Sequence, residues 1–252
     1  MRSARQWPRV LAASAGIGAA GFIAWAVRGR SSQVFGPSVW RGNPDRCAVA
    51  LTFDDGPSED TPRLLEILER HRVPATFFQI GLNVKRLPRV ARAVAACRHS
   101  IGNHSYSHPM FCNPRFGFPL GRAFDQELRQ AQQTLFEHTG EVPVWFRAPY
   151  GVRWFGLGAA LKRHHLTGVM WTVIGYDWKR TGAGRSAAEA LAARAASKVS
   201  PGAILCFHDG RELRVRPDIG LTLETVRYLI PMLLEKGYEF ERLDDLLWRP
   251  KN

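Results

Sequence analysis

Two adjacent carboxylates and a pair of histidines are the residues of this chain whose types and spacing could perform chemistry. Asp54 and Asp55 end an apolar run and are followed at once by Gly56-Pro57, which is typical of a strand that breaks into a turn. One carboxylate of the pair could bind a metal while its neighbour acts as a base. The alternative is an aspartate pair that caps the following helix.

His104 and His108 supply two further donors at a spacing that suits metal binding. Two histidines four residues apart can direct their imidazole rings at one cation, and with Asp55 they make a set of two histidines and one carboxylate. Such a set leaves coordination positions open for water and substrate, as a catalytic metal requires. Its nitrogen and oxygen ligands suit zinc, iron or cobalt. The sequence therefore predicts a catalytic metal site.

Two later apolar runs end in a cation and in a third histidine. Arg147 could pair with Asp54, and the stiff Pro149-Tyr150 turn after it could direct a backbone N–H at an oxyanion. His208 is placed to protonate a leaving amine. The alternatives are a surface ion pair for Arg147 and a core position for His208. With the metal set, these residues favour a hydrolase.

The elements that must position these residues are strands and helices in regular alternation. Strands are predicted at residues 48–53, 75–80, 100–103, 144–147, 167–174, 203–207 and 238–243. Helices are predicted between them, near residues 62–71, 87–97, 124–138, 157–164, 187–198 and 222–236. This alternation predicts parallel strands with crossover helices, in either a barrel or an open doubly wound sheet. In such barrels the chemistry lies where strands end.

The motifs together resemble the polysaccharide deacetylases of the NodB-homology type, carbohydrate esterase family 4, over about residues 48–246. The five motifs of that family occur in order as T-F-D-D-G-P at 52–57, H-S-x-x-H at 104–108, R-A-P-Y at 147–150, D-W at 177–178 and L-x-x-H at 205–208. The resemblance implies an α/β fold, a distorted (β/α) barrel of about seven parallel strands with crossover helices. The alternating pattern agrees with this.

The resemblance also implies roles for particular residues. Asp55, His104 and His108 would hold a divalent metal, zinc in the first place, with Co²⁺, Ni²⁺ or Fe²⁺ as alternatives. Asp54 would be the general base toward the attacking water, and the Tyr150 backbone N–H would hold the oxyanion.

Further roles are implied for the later motifs. His208 would donate a proton to the departing amine, Arg147 would keep Asp54 ionised, and Asp177 would stabilise the protonated form of His208. The residues expected to contact the substrate are Pro149, Tyr150, Trp178 and Leu205.

The implied function is that of a metal-dependent hydrolase that removes N-acetyl groups from a glycan containing N-acetylhexosamine. Peptidoglycan, a chitin-like oligomer and an exopolysaccharide are the candidate substrates. The alternatives are an O-acetyl esterase on an acetylated polysaccharide, a hydrolase of small amides, and a non-catalytic glycan-binding module. A binding module would not need His208, Arg147 and the metal set together.

Composition limits the partners. With 252 residues, of which 45% are hydrophobic, the chain suits one catalytic domain, predicted at residues 47–249. A net charge of +13 favours acidic surroundings, but no nucleic-acid module is recognisable, so no nucleic-acid partner is expected. The oligomeric state is left open.

The four cysteines lack the C-x-x-C spacing of zinc or redox motifs. Cys206 lies in an apolar run and is predicted to pack in the core. A disulfide between Cys97 and Cys112 is one pairing that the sequence leaves open.

The N-terminal segment, residues 1–30, is predicted to be a membrane anchor or a signal segment. Residues 10–27 carry no charge and are just long enough to cross a bilayer as a helix, with arginines on both sides. Positive charge on the short N-terminal side predicts a catalytic domain outside the cytoplasm, on the periplasmic or extracellular face. Cleavage and secretion are the alternative. Residues 31–46, with several Gly and Pro, are predicted to be a linker.

A run of charged residues follows the last motif, at residues 211–216. One hypothesis is that Arg211, Arg214 and Arg216 favour an anionic acceptor, such as a lipid-linked or acidic glycan. A solvated charged loop is the alternative.

Overall fold

The structure is a computed structural model that describes residues 7–97, 99–111, 121–179, 184–214 and 216–248, without the side chains of residues 7–17, 121–123 and 248. Nine strands in this part of the chain form one sheet. They are β1 (Ser38–Val39), β2 (Ala48–Gly56), β3 (Ala75–Gln79), β4 (Ser100–Asn103), β5 (Trp145–Phe146), β6 (Thr167–Val169), β7 (Val173–Ile174), β8 (Ile204–His208) and β9 (Glu239–Phe240).

The sheet curls into a distorted barrel. Its strand order is β1-β6-β5-β4-β3-β2-β8-β7, with β9 paired to β2, and the paired strands are parallel. Residues 170–172 connect β6 to β7, and these two strands lie toward opposite ends of this order. The connection therefore brings the two ends of the sheet close together. The predicted (β/α) barrel is confirmed.

The sheet has nine strands, eight of them on this path, where about seven were predicted, for two reasons. The first is β1, which no sequence pattern indicated. The second is that the single strand predicted at 167–174 is divided into β6 and β7. Carbonyl groups at the division, those of Val169 and Met170, accept hydrogen bonds from the Arg147 guanidinium at 3.4 and 3.3 Å. The backbone there binds a side chain, which interrupts the regular strand.

Strand β2 lies at the centre of the barrel. All nine of its residues are buried, and it pairs with β3 and β8 on its two sides. A strand covered on both faces reads as a continuous apolar run, which explains the Ala-Val-Ala-Leu sequence at its start. Phe53 stacks on Phe77 with ring centroids 5.1 Å apart. This packing gives the polar residues at the end of β2 a rigid support.

Helices cover the outside of the sheet. They are α2 (Thr61–His71), α3 (Gly81–Arg86), α4 (Pro88–Ala96), α5 (Gly121–Thr139), α6 (Leu157–Arg163), α7 (Arg185–Ala196), α8 (Gly220–Glu235) and α9 (Leu243–Trp248). In α2, Leu64 and Leu68 are four residues apart and both fully buried, as an amphipathic helix requires. Burial of each such side chain contributes about 1.5–3 kcal/mol.

The first helix, α1, spans Trp7–Arg28. Of its side chains, those up to residue 17 lie outside the described part, and Phe22 and Ile23 are exposed. Among the residues that the structure describes, no helix has both the length and the apolar character needed to cross a bilayer. The membrane-spanning helix predicted at residues 10–27 is therefore not supported.

The segment after α1, predicted as a linker at residues 31–46, lies against the barrel. Its strand β1 pairs with β6. Phe35 packs against Trp154 and Phe155, with ring centroids 5.5 and 4.8 Å away. Part of the predicted linker thus belongs to the sheet.

Candidate active site

Asp54 and Asp55 both reach one cavity although they are neighbours in a strand. Successive side chains of a regular strand point to opposite faces. Here the pairing of β2 with β3 shifts register between Asp54 and Gly56, and Asp55 adopts a left-handed backbone with φ 71°. This bulge turns both carboxylates toward the interior. Gly210 permits the close approach of the next loop, because a Cβ there would lie 2.1 Å from the Asp55 carbonyl oxygen.

The predicted metal ligands are brought together. One oxygen of Asp55, Oδ1, lies 3.3 Å from His104 Nε2 and 3.1 Å from His108 Nε2. In a tetrahedral site, bonds of about 2.0–2.1 Å separate such ligand atoms by roughly 3.3 Å. His104 Nδ1 lies 2.8 Å from the Arg147 carbonyl oxygen, which orients the ring with Nε2 toward the shared centre. The donor set and its spacing fit a divalent metal.

The loop that carries His108 is fastened by residues that the sequence did not single out. The His108 backbone N–H donates to Ser105 Oγ at 3.1 Å. Glu127, from α5, accepts hydrogen bonds from the Tyr106 and Ser107 backbone N–H groups at 2.9 and 2.8 Å. An acid on an amphipathic helix has no distinguishing pattern, so Glu127 could not have been identified from the sequence.

Asp55 is also held by the loop that follows β8. Its Oδ2 accepts the backbone N–H of Glu212 at 3.0 Å, and Asn83 Nδ2 donates to the carbonyl oxygens of both residues. Burial raises the pKa of Asp55, but hydrogen bonds from His104 and His108 outweigh it and hold the pKa well below its usual range. The carboxylate is therefore ionised, as a metal ligand must be.

Arg147 and Asp54 form a buried ion pair. Arg147 Nη1 lies 2.7 Å from Asp54 Oδ1 and 2.7 Å from Thr52 Oγ1, and the Arg147 side chain is fully buried. The guanidinium also lies over the Phe78 ring, 4.2 Å from its centroid. Because Arg147 binds Oδ1 of Asp54, Oδ2 is the oxygen that could act as a base in the cavity.

His208 and Asp177 form a second ion pair, in which Asp177 is fully buried and His208 is partly buried. His208 Nδ1 lies 3.0 Å from Asp177 Oδ1, while Asp177 Oδ2 accepts from the His208 backbone N–H and from Thr222 Oγ1. Burial lowers the pKa of His208, but the charge and hydrogen bond of Asp177 outweigh this effect and raise the pKa to about 9. The imidazole is thereby held protonated, with Nε2 turned away from Asp177.

These groups meet in a cavity of about 400 Å³. Aromatic and apolar side chains border it, namely Tyr150, Trp171, Ile174 and Trp178. Tyr150 packs against His108 with ring centroids 4.6 Å apart, and Trp178 packs against His208 at the same distance. The cavity is thus lined by both polar and apolar side chains.

Two of the four predicted substrate contacts lie elsewhere. Pro149 is buried and begins the short 3-10 turn that presents Tyr150. Leu205 is fully buried in the core on the opposite face of β8, and its neighbour Cys206 borders the cavity instead. The reason is strand alternation, which puts Cys206 on the same face as His208. The expected contact of Leu205 with substrate is not supported.

The three arginines after His208 have three different environments. Arg211 is buried and donates to the Asp177 carbonyl oxygen at 3.1 Å, and Arg216 pairs with Glu59 at 2.9 Å. Arg214 borders the cavity, as do Arg211 and, from the end of α1, Arg28. The sequence indicates Arg28 only as the flank of an apolar segment.

The fold and the site together define a class of protein. The strand ends of a (β/α) barrel hold a two-histidine, one-carboxylate set beside two buried ion pairs that could serve as base and acid. This is the arrangement of a hydrolase that uses a metal-activated water.

Comparison with known proteins gives the family. A sequence profile of the polysaccharide deacetylases matches residues 41–169. The chitooligosaccharide deacetylase of Bradyrhizobium sp. (strain ANU 289) is 36% identical over 208 residues, which cover 79% of this chain and 90% of that relative. The chain belongs to the polysaccharide deacetylase family.

Two solved structures share the fold. The Bc1960 peptidoglycan N-acetylglucosamine deacetylase aligns with a TM-score of 0.72 and 27% identity, covering 85% of this chain and 94% of that chain. BA3943 from Bacillus anthracis, described as a CE4 family pseudoenzyme, aligns with a TM-score of 0.72 and 29% identity, covering 84% of this chain and 70% of that chain. The barrel is therefore common to members described as a deacetylase and as a pseudoenzyme.

Proposed function

We propose that this chain is a metal-dependent deacetylase that hydrolyses N-acetyl groups of a glycan containing N-acetylhexosamine. The observation that supports it most is the convergence of the predicted base, acid and metal ligands in one cavity. Chitooligosaccharide and peptidoglycan, the substrates in the names of two similar proteins, are the first candidates.

Asp55, His104 and His108 would hold the divalent metal, which we propose to be zinc, with cobalt, nickel or iron(II) as alternatives. When bound, such an ion lowers the pKa of a water molecule and polarises the acetyl carbonyl group. Asp54 Oδ2 would accept the proton of the attacking water. Arg147, on the other oxygen of Asp54, keeps the carboxylate ionised and fixes its direction.

The leaving amine needs a proton, and His208 Nε2 is the proposed donor. A group with a pKa of about 9 is protonated at neutral pH and can act as an acid. Asp177 holds the opposite ring nitrogen and so fixes the orientation of the imidazole. The backbone N–H of Tyr150 is the proposed oxyanion donor, and the Tyr150 and Trp178 rings would contact the acetyl group or the sugar.

The deciding experiment is to measure acetate and free amine released from chitooligosaccharides and peptidoglycan, with and without chelator. Asp54→Asn is the inactive control, and Asp60→Asn, at a half-buried aspartate that precedes α2, is the matched control. Release that requires metal and Asp54 supports the proposal. Acetate released only from acetylated xylan, without a new amine, would favour the O-acetyl esterase. Binding without any release would indicate a non-catalytic module.

We also propose that the chain acts outside the cytoplasm, at the cell envelope. The support is the uncharged run at residues 10–27 between arginines, together with peptidoglycan as a candidate substrate. Membrane attachment through that run is the narrower form of the proposal. Fractionation of cells that express the full chain tests both: release only by detergent supports attachment, a shortened chain in the soluble envelope fraction indicates cleavage, and a cytoplasmic chain contradicts the proposal.

A further inference from the structure

Cys206 is a free, buried thiol in the active-site cavity that the proposed mechanism does not use. It lies on β8 two residues before His208, and its side chain borders the cavity on the same face. Its Sγ is 3.4 Å from Asp54 Oδ2. The thiol is thus next to both the proposed base and the proposed acid.

Asp54, Cys206 and His208 each place one possible ligand atom in the same small region. A carboxylate oxygen, the sulfur and a ring nitrogen of these residues all lie within 4.8 Å of one another. Arg147 binds Oδ1 of Asp54, whose Oδ2 accepts a hydrogen bond from the Cys206 thiol, and Asp177 binds Nδ1 of His208, which leaves Nε2. These three atoms are of the types that bind zinc and softer dications.

The separation of two of these atoms matches a metal site. Tetrahedral bonds of about 2.0 Å to oxygen and 2.3 Å to sulfur place the two ligand atoms roughly 3.5 Å apart. The observed distance between Asp54 Oδ2 and Cys206 Sγ is 3.4 Å, at which the thiol donates a hydrogen bond that a bound ion would replace. An ion could therefore bind between them without a large movement of either side chain.

We propose that Asp54, Cys206 and His208 form a second, inhibitory cation site for thiophilic dications such as Cd²⁺ or excess Zn²⁺. On binding, the thiol S–H bond breaks, a sulfur–metal bond forms, and the proton passes to water. The inhibitory part of this inference rests on the proposed function, because an ion at this point occupies the base and the acid together.

The second site is expected to be weaker than the Asp55, His104 and His108 site. Arg147 already neutralises Asp54, burial raises the pKa of the Cys206 thiol well above its usual value, and a protonated His208 must lose a proton before it can bind an ion. Two dications about 3.5–4 Å apart are nevertheless common in hydrolytic sites. The site should therefore fill only when metal exceeds one equivalent, and a hard ion such as Mg²⁺ should not fill it.

Binding is tested on the full-length, metal-free chain by equilibrium dialysis with Cd²⁺ and by the ultraviolet absorption of a cadmium–thiolate bond. We expect two Cd²⁺ per chain and a thiolate band in the natural protein, and one Cd²⁺ without the band in Cys206→Ala and Cys206→Ser. Cys47→Ala, at an exposed thiol, is the matched control and should keep the band. One Cd²⁺ in every variant, or a band that survives in Cys206→Ala, would overturn the proposal.

Inhibition is tested by the ratio of acetate release at one and at five equivalents of Zn²⁺, measured within each variant. We expect at least a tenfold fall in the natural protein and less than a twofold fall in Cys206→Ser. Equal ratios in the two would refute an inhibitory role. If no variant releases acetate, the proposed function has failed, and the dialysis and absorption results still decide whether the second site exists.

Discussion

Two regions border the active-site cavity, and they are held in place by different kinds of contact. The strand-end region is the set of residues at or just after the ends of β2, β4, β5, β7 and β8. Its charged groups are paired inside the barrel, Asp54 with Arg147 and His208 with Asp177. Because each charge is buried, each depends on its partner, and the region has little freedom to rearrange.

The N-terminal stem, residues 26–40, is fastened to the barrel mainly through neutral backbone groups. Arg153, which is only 3% exposed, donates to the carbonyl oxygens of Gly29 and Ser32 and to Ser38 Oγ. Its own backbone N–H donates to the Val27 carbonyl oxygen at 3.0 Å. One arginine thus fixes the point where α1 meets the barrel.

The difference teaches which contacts a sequence can reveal. A charged residue at a strand end is visible as an interruption of an apolar run, so the strand-end region was predictable. A backbone carbonyl acceptor cannot be identified from the sequence, since every residue has one. The sequence of the stem therefore indicates only an apolar segment followed by a linker. It does not indicate that Arg28 borders the cavity.

The largest effect is expected from the strand-end region, in Asp54→Asn. Loss of the proposed base should lower kcat about 10³-fold, within the range for general acid–base groups, because Asn cannot accept the proton of water. Acetate release and metal content are measured together. Metal content should stay at one equivalent in Asp54→Asn and fall in Asp55→Asn.

A fall of less than tenfold in Asp54→Asn would contradict the role of Asp54. Loss of metal from both variants would also contradict it, since the two neighbouring carboxylates would then share one task.

The second prediction compares the two regions by stability. Arg147→Met leaves the Asp54 charge buried without its partner and should lower the free energy of unfolding by about 3–5 kcal/mol. Arg153→Met leaves only neutral acceptors without a donor and should lower the free energy of unfolding by about 1–3 kcal/mol. Urea unfolding of both variants measures the difference. Equal losses would mean that the stem is as integral to the barrel as the buried ion pair.

The third prediction concerns the pH dependence that Asp177 imposes on His208. The folded-state pKa of about 9 lies above the ordinary value of 6.5, so the stabilisation is complete below pH 6.5 and is lost as the pH rises through 9. For the metal-free protein, this shift in the pKa of His208 corresponds to roughly 3 kcal/mol in the free energy of unfolding. Unfolding free energies measured between pH 6 and about 10 should show the fall.

His208→Gln is the control for this pH dependence, because it removes the titrating group and keeps a polar side chain. The fall between pH 6.5 and 9 should disappear in that variant and shrink in Asp177→Asn. A natural protein whose stability is flat over this interval would show that the Asp177 charge does not hold the proton on His208.

Local context explains how much of the fold and site could be predicted. Asp54, Asp55, His104 and His108 were found because each follows a strand whose apolar run is evident. The division of the strand at 167–174 could not be predicted from the sequence, because it depends on carbonyl groups that bind a distant arginine. Tertiary hydrogen bonds of this kind leave no periodic pattern in the sequence.

The supporting residues were missed for a related reason. Glu127 and Asn83 act by binding backbone groups of loops that are remote in sequence. A motif match gives the position of Leu205 in the chain but not the face of the strand on which its side chain lies. Strand alternation places Cys206, rather than Leu205, on the face of β8 that borders the cavity. A sequence therefore shows which residue types are present at a site more readily than what holds them there.

The smallest effect is expected from the N-terminal stem, in Arg28→Gln. Arg28 is an exposed cation that borders the cavity, as Arg214 does. A solvent-exposed charge contact is worth about 0.2–1 kcal/mol, so KM for carboxymethylated chitooligosaccharide should rise about threefold while kcat changes little. KM for the neutral oligomer should not change, and 0.5 M salt, by screening the charge, should abolish the difference between the variant and the natural protein. Arg227→Gln, at an exposed arginine on α8 that pairs with Glu224, is the matched control. Equal KM values for both oligomers in Arg28→Gln and the natural protein would mean that the stem borders the cavity without contacting the substrate, and the cavity's specificity would then belong to the strand-end region alone.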